Sequence, residues 1–288
     1  MTQHIDSLAI YLTNVCGLTC EGCASYNNYR LKSHYDWAVT EPRAKKWGEL
    51  LSIREITLVG GETFLHPDID AWVNGTVASF PNCQQILMLT GLVGNSLTRF
   101  KDKIRSWFEL GVGVQISVHD YSQWDEAVAT AEEILSGLNY KKIENPSDGR
   151  SHSWQSNNYY LNEKLVFTVL EQWRFFPNSQ KEIIDGVLYM NNNDPEASHK
   201  ACMAKTCHYL VDGLLYKCVI MGIASMLLEQ VPMGQREKDL LSQSKGLNPF
   251  DEPIIDFSSA IPQCSLCSTG AFEVIPIKKL SIKKLNFP

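Results

Sequence analysis

LAIYLTNVCGLTCEGC, residues 8–23, runs from an apolar stretch straight into three cysteines, Cys16, Cys20 and Cys23, with Gly17 and Gly22 among them. LAIYLT (8–13) reads as a strand that ends where the cysteine loop begins. REITLV (54–59), QILMLT (85–90) and VGVQISV (112–118) are strands of the same kind, and each precedes a stretch with helical spacing. The first helix is expected from Thr40, after the cysteine loop, with Pro42 in its first turn and Ala44, Trp47 and Leu51 on one face. The second opens at Pro67 and turns Ile69, Trp72, Val73 and Val77 inward. Phe100, Ile104, Trp107 and Phe108 mark a third, and Trp124, Ala127, Ala131, Ile134, Leu135 and Leu138 a fourth. Four strand–helix units in succession imply a parallel sheet with helices outside, as an open sheet or as a barrel.

The rest of the chain is less regular. Residues 139–162 are polar and read as a loop or irregular insert, with strands returning at KLVFTVL (164–170) and GVLYM (186–190). NNNDPEASHK (191–200) looks like a hinge, which divides the chain into a barrel region, 1–195, and a cysteine-bearing region, 196–288. The last twelve residues, IKKLSIKKLNFP, read as a solvated terminal segment.

With 288 residues, 44% of them hydrophobic and 20% charged, the chain can fill a sizeable core. A net charge of −6 argues against general nucleic-acid binding, which usually needs a surplus of Lys and Arg. No signal-like start and no apolar run of membrane length is present, so no membrane partner and a cytoplasmic location are expected. In a reducing compartment, nine cysteines read better as metal ligands than as disulfides. Cys83 stands apart, next to an apolar run, and reads as a small hydrophobe. Three thiols at Cys16, Cys20 and Cys23 are a poor half of a four-ligand zinc site. They suit a [4Fe-4S] cluster better, because three thiolates leave one iron open to a non-protein ligand.

C-x3-C-x2-C directly after the first strand, followed at the end of the next strand by VGGETF (59–64), resembles the paired signature of the radical SAM superfamily. The resemblance covers about the first 190 residues and implies a partial (β/α)6 TIM-like barrel whose chemistry sits at the C-terminal ends of its strands. It implies a [4Fe-4S] cluster on Cys16, Cys20 and Cys23, and S-adenosylmethionine (SAM) against Gly60, Gly61 and Glu62, the carboxylate facing the SAM ammonium. By family position Thr90 with Gly91, and Ser117 with His119, are further SAM contacts. Two departures stand out. Gly22 takes the place of an aromatic near the adenine, for which Tyr26 or Tyr29 could substitute, and Thr63 replaces a proline.

The late cysteines are Cys202, Cys207, Cys218, Cys264 and Cys267. CHYLVDGLLYKC (207–218) reads as two short strands around an Asp-Gly turn, which brings Cys207 and Cys218 together, and CSLC supplies a second pair. On spacing alone, two pairs favour zinc and a non-catalytic scaffold. In the radical SAM context the arrangement resembles a Twitch or shortened SPASM extension, which implies one auxiliary [4Fe-4S] cluster. The favoured set is Cys207, Cys218, Cys264 and Cys267, with Cys202 as the alternative to Cys207. The activity so implied is reductive cleavage of SAM to a 5′-deoxyadenosyl radical that abstracts hydrogen from a substrate. A peptide or protein substrate is the leading expectation and a small metabolite or cofactor precursor the second. The one-electron donor would be a flavodoxin or ferredoxin. Trp154, Tyr159, Tyr160, Trp173 and Arg174 are candidates to line the mouth, whereas His66 and His208 read as a loop residue and an unneeded ligand.

Overall fold

The computed structural model of the protein describes residues 2–18, 20, 23–146, 154–172, 174–175, 181–202, 205–251, 255–269 and 275–276. Its strands are β1 (Gln3–Thr13), β2 (Leu51–Gly60), β3 (Gln85–Thr90), β4 (Val112–Val118), β5 (Lys141–Asn145), β6 (Ser156–Leu161), β7 (Lys164–Glu171), β8 (Arg174–Phe175), β9 (Lys181–Ile184), β10 (Val187–Met190), β11 (Cys207–Val211), β12 (Leu214–Tyr216) and β13 (Ile275–Pro276). Its helices are α1 (Trp37–Leu50), α2 (Ile69–Ser79), α3 (Asn95–Thr98), α4 (Lys101–Glu109), α5 (Trp124–Leu135), α6 (Pro195–Ala201), α7 (Val219–Gly222), α8 (Ala224–Gln230) and α9 (Gln235–Leu241).

Nine strands form one sheet in the order β12-β11-β1-β2-β3-β4-β7-β6-β5. The pairings β11–β1, β1–β2, β2–β3, β3–β4 and β4–β7 are all parallel, so six strands point the same way. Among the described residues the sheet is open, with β12 and β5 at its two edges. The four strand–helix units occur as the sequence indicates. Leu8, Ile10 and Leu12 of β1 enter one core with Trp47, Trp72, Ile104 and Ala131 from the helices. The alternation of a strand then turns Ser7, Ala9 and Tyr11 to the opposite face.

Four expectations need correction. The first helix starts at Trp37, because Asp36 caps it by accepting from the Ala38 amide at 2.9 Å; Pro42 is its sixth residue, not part of its first turn. The described part of residues 139–162, which leaves out 147–153, is not an irregular insert. Although polar, it includes β5 and β6, which extend the sheet by antiparallel pairing, and β6 turns into β7 through Asn162 and Glu163 at positive φ. GVLYM forms a strand, yet β10 pairs antiparallel with β9 in a separate two-stranded sheet. The sixth parallel strand is β11, beside β1, with Cys207 level with Ser7 and Val211 with Tyr11. Its hairpin partner β12 follows Asp212 (φ 52°) and Gly213 (φ 75°), the double positive φ that an Asp-Gly turn supplies.

Residues after 195 therefore continue the main sheet and also cover it. Ile220, Ile223, Leu227, Val231, Leu241 and Leu266 build a second core with Tyr11, Tyr26, Tyr29 and Val211 on the face of β1 and β11 away from α1. Trp47, fully buried, donates its indole hydrogen to Gly213 O at 3.0 Å and so ties the first helix to the late hairpin. Burying an aromatic of this size stabilises by about 3 kcal/mol. The segment 277–288 lies outside the described residues.

Candidate functional site

The C-terminal ends of β1, β2, β3 and β4 place the first group of candidate residues side by side. Pairing between β1 and β2 continues past both strands, since the Gly61 amide donates to Thr13 O at 2.7 Å and the Glu62 amide to Val15 O at 2.8 Å. That close approach explains both glycines. A Cβ on Gly60 would lie 2.5 Å from Thr13 O; one on Gly61 would lie 2.3 Å from Val15 O and 2.9 Å from Cys16 Cβ. Neither glycine has positive φ, so their role here is space for the cysteine loop.

Glu62 is 4% exposed and points inward. Its Oε1 accepts from Thr90 Oγ1 at 2.7 Å and the Phe64 amide at 3.1 Å, and its Oε2 accepts from the Gly91 amide at 2.9 Å. Burial raises its pKa against the lowering pull of these donors. The carboxylate thus bridges the ends of β2 and β3. Thr90 is engaged in the same bridge and also accepts from the Leu92 amide at 3.0 Å. Thr63 donates its hydroxyl hydrogen to Leu89 O at 2.5 Å and reinforces the joint. At the rim, a Cβ on Gly91 would lie 3.1 Å from Leu18 and 3.4 Å from His119, so cysteine loop, β3 and β4 meet there. His119 Nδ1 is buried and without a hydrogen-bond partner among the described residues. Ser117 sits on β4 one turn of the pleat below, accepting from Gln115 Nε2 at 3.3 Å.

Within the loop, Cys16 Sγ accepts from the Leu18 amide at 3.4 Å, and burial pushes its thiol up to about 11. Such a thiol is protonated at neutral pH unless a cation displaces the proton, which is how metal ligands ordinarily ionise. Cys20 and Cys23 are partly exposed in the same loop; Gly22 lies outside the described residues. Tyr26 and Tyr29 do not offer the free faces expected of them. Both are buried, stacked on each other with centroids 6.0 Å apart, and Tyr26 packs in the second core with Met190. His66 is also internal: its Nδ1 accepts from the Asp68 amide at 3.1 Å while Nε2 lies 2.9 Å from Tyr35 O. Tyr159 is buried against Phe167, so it packs the core instead of lining a mouth, and Tyr160 faces a cleft at the β5 edge. Trp154 is half-buried; Trp173 and the Arg174 side chain lie outside the described residues.

The late cysteines divide. Cys202, Cys218, Cys264 and Cys267 line one small cavity with His199, Lys205 and Lys217. Cys207 is not in it: this thiol lies on the inner face of the sheet, where the Ser7 hydroxyl donates to its sulfur at 3.7 Å. The physical reason is the hairpin's alternation, which turns Cys207 toward β1 while Cys218, beyond the end of β12, turns toward the 262–267 turn. Cys202 therefore joins the set that favoured Cys207. Burial raises the Cys218 thiol to about 11. His208 faces elsewhere, with Nδ1 3.1 Å from Lys217 O and its ring 4.6 Å from Phe257.

Two cavity residues went unnoticed in the sequence. His199 Nε2 is buried with no hydrogen-bond partner among the described residues, and Lys217, 5% exposed, donates to the carbonyls of Phe257 and Ser259. Each stands close to one cysteine in the chain, His199 three residues before Cys202 and Lys217 directly before Cys218, but their meeting in one cavity depends on long-range packing. Among the described residues, no three His, Cys, Asp or Glu side chains converge tightly enough for a single metal ion.

No helix among the described residues is long and apolar enough to cross a membrane. No protein-family model and no curated protein matches the chain. Among solved structures, BtrN in complex with AdoMet and 2-DOIA is similar over 96% of this chain and 100% of that one, at 15% identity and a TM-score of 0.47. SuiB of Streptococcus suis bound to S-adenosylmethionine is similar over 87% of this chain and 64% of that one, at 13% identity and a TM-score of 0.37. An open conformation of BtrN is matched over 44% of this chain, which spans 54% of that one, at 18% identity and a TM-score of 0.32.

Proposed function

We infer that the protein is a radical SAM enzyme, with a [4Fe-4S] cluster on Cys16, Cys20 and Cys23 and an auxiliary one on Cys202, Cys218, Cys264 and Cys267. The observation that carries this reading is the joint between Gly61, Glu62 and the start of the cysteine loop, which supports Cys16 at the C-terminal ends of parallel strands, in a loop that also carries Cys20 and Cys23. When bound, the first cluster with SAM supplies one-electron reductive cleavage to a 5′-deoxyadenosyl radical, with flavodoxin or ferredoxin as the electron source. The chain's own residues hold that chemistry in place. The Leu18 amide hydrogen-bonds Cys16 sulfur, the Gly60–Gly61 backbone keeps side chains away from the loop, and Glu62 fixes the β3 turn at Gly91.

For the substrate, a small polar molecule fits the described residues better than a peptide. The inner face carries half-buried Thr57 and Gln115, each three residues before its strand end, with Ser117 and Thr168 nearby. At roughly 3.3 Å per residue the first two lie about 10 Å below the rim, a depth suited to a compact molecule with hydroxyl or amine groups. Anaerobic reconstitution with iron and sulfide is expected to give about eight irons per chain and reductive SAM cleavage. Deuterium transfer from a candidate substrate into 5′-deoxyadenosine identifies the carbon attacked. Zinc retention without SAM cleavage would overturn the enzyme reading in favour of the scaffold.

A further inference from the structure

The cavity of Cys202, Cys218, Cys264 and Cys267 holds a polar atom that the fold leaves unused. His199 belongs to the last turn of α6, immediately before Cys202, whose amide donates to His199 O at 3.1 Å. The backbone thereby fixes the histidine beside its neighbouring thiol. The ring lines the cavity, and its Nε2 is buried with no partner among the described residues. Buried polar atoms are normally matched, so a partner inside the cavity is the economical explanation. The sulfurs on the cavity wall belong to Cys202, Cys218, Cys264 and Cys267, and any bridging sulfide they hold would lie between them.

Lys217 gives the cavity a second feature. Its ammonium is buried, anchored by the carbonyls of Phe257 and Ser259, and its residue directly precedes Cys218. A fixed positive charge beside four thiolates offsets the negative charge that they concentrate when metallated. Lys217 is committed to carbonyls and Lys205 is exposed, which leaves the imidazole as the buried donor without a partner among the described residues.

Resting on the auxiliary-cluster reading above, we propose that His199 donates its Nε2 hydrogen to a sulfur of the group held by Cys202, Cys218, Cys264 and Cys267, and so makes that group easier to reduce. Hydrogen bonds to cluster sulfur raise the reduction potential by stabilising the added negative charge. His199 is thus a positioning and tuning residue and not a fifth ligand.

The test uses the full chain with Cys16, Cys20 and Cys23 each changed to Ser, so that only the late site can assemble. After anaerobic loading with iron and sulfide, the midpoint potential is measured by dye-mediated titration followed by electron paramagnetic resonance. Iron is counted in parallel. The expected result is about four irons per chain, a lower midpoint in His199→Leu at unchanged iron content, and partial recovery in His199→Gln, whose amide keeps a donor. A midpoint in His199→Leu equal to that of its parent would overturn the proposal while leaving the cluster assignment intact. Loss of iron from a folded His199→Leu would overturn it in favour of ligation. Failure of the parent to take up iron would instead refute the auxiliary-cluster reading on which it depends. If His199→Leu does not fold, His199→Met provides the same apolar comparison.

Discussion

The two thiol sites are built in opposite ways. Cys16, Cys20 and Cys23 come from eight consecutive residues at one strand end, and the structure around them is backbone: Thr13 O, Val15 O and the Gly61 amide. Cys202, Cys218, Cys264 and Cys267 come from three separated stretches, a helix end, a hairpin end and a short turn, brought together by the second core. A short loop can wrap one side of a cluster, leaving a corner for a small molecule, whereas converging segments can supply every corner. The first construction suits exchange of a ligand at an open iron; the second suits a group that stays enclosed and carries charge.

The largest effects should separate these roles. Cys20→Ala is expected to reduce SAM cleavage to background, and Cys264→Ala to leave uncoupled cleavage while product is lost. Liquid-chromatographic measurement of 5′-deoxyadenosine and product from the same samples checks both. Unchanged cleavage in Cys20→Ala would remove the basis for calling the first loop the SAM site.

Gly61→Ala tests the backbone construction without touching a ligand. Its methyl would meet Val15 O at 2.3 Å and Cys16 Cβ at 2.9 Å, so the cysteine loop must move. The first site should lose most of its iron while the second keeps its own, read as a fall from about eight irons per chain toward about four. Equal loss from both sites would show that the glycine matters to the fold as a whole.

A smaller contrast lies within the second site. Cys202→Ala should cost it most of its iron, and Cys207→Ala little, because Cys207 faces Ser7 on the sheet. This distinction also marks where the sequence stops being legible. The four strand–helix units and the Asp212–Gly213 turn are local patterns, and the structure places them as their spacing indicates. Choosing Cys202 over Cys207 depends on which way a hairpin faces after it has joined β1, a tertiary outcome. The same limit explains β6: Ser156, Asn157 and Asn158 have poor strand propensity, yet the open edge of β7 pairs with them. It also explains β10, whose sequence suits a strand but does not say which strand it pairs with.

Glu62 gives the finest comparison, because one carboxylate has two competing roles. If it were an ammonium partner for SAM, Glu62→Gln would weaken SAM binding and leave the protein without SAM equally stable. As the bridge seen here, it accepts from Thr90, Phe64 and Gly91, and an amide presents two hydrogens where these donors need acceptors. Glu62→Gln should then lower stability in the absence of SAM by about 1–3 kcal/mol. The pH dependence carries a sign that can be checked. Burial raises the folded-state pKa above the ordinary 4.5, so the folded protein holds the proton at pH values where the unfolded chain has released it. The stability of the native protein relative to Glu62→Gln should accordingly be highest at and below about pH 4.5 and decline as pH rises through the raised value. Denaturant midpoints at several pH values measure this difference directly. A difference that grows as pH rises would mean that the three donors outweigh burial and hold the carboxylate ionised.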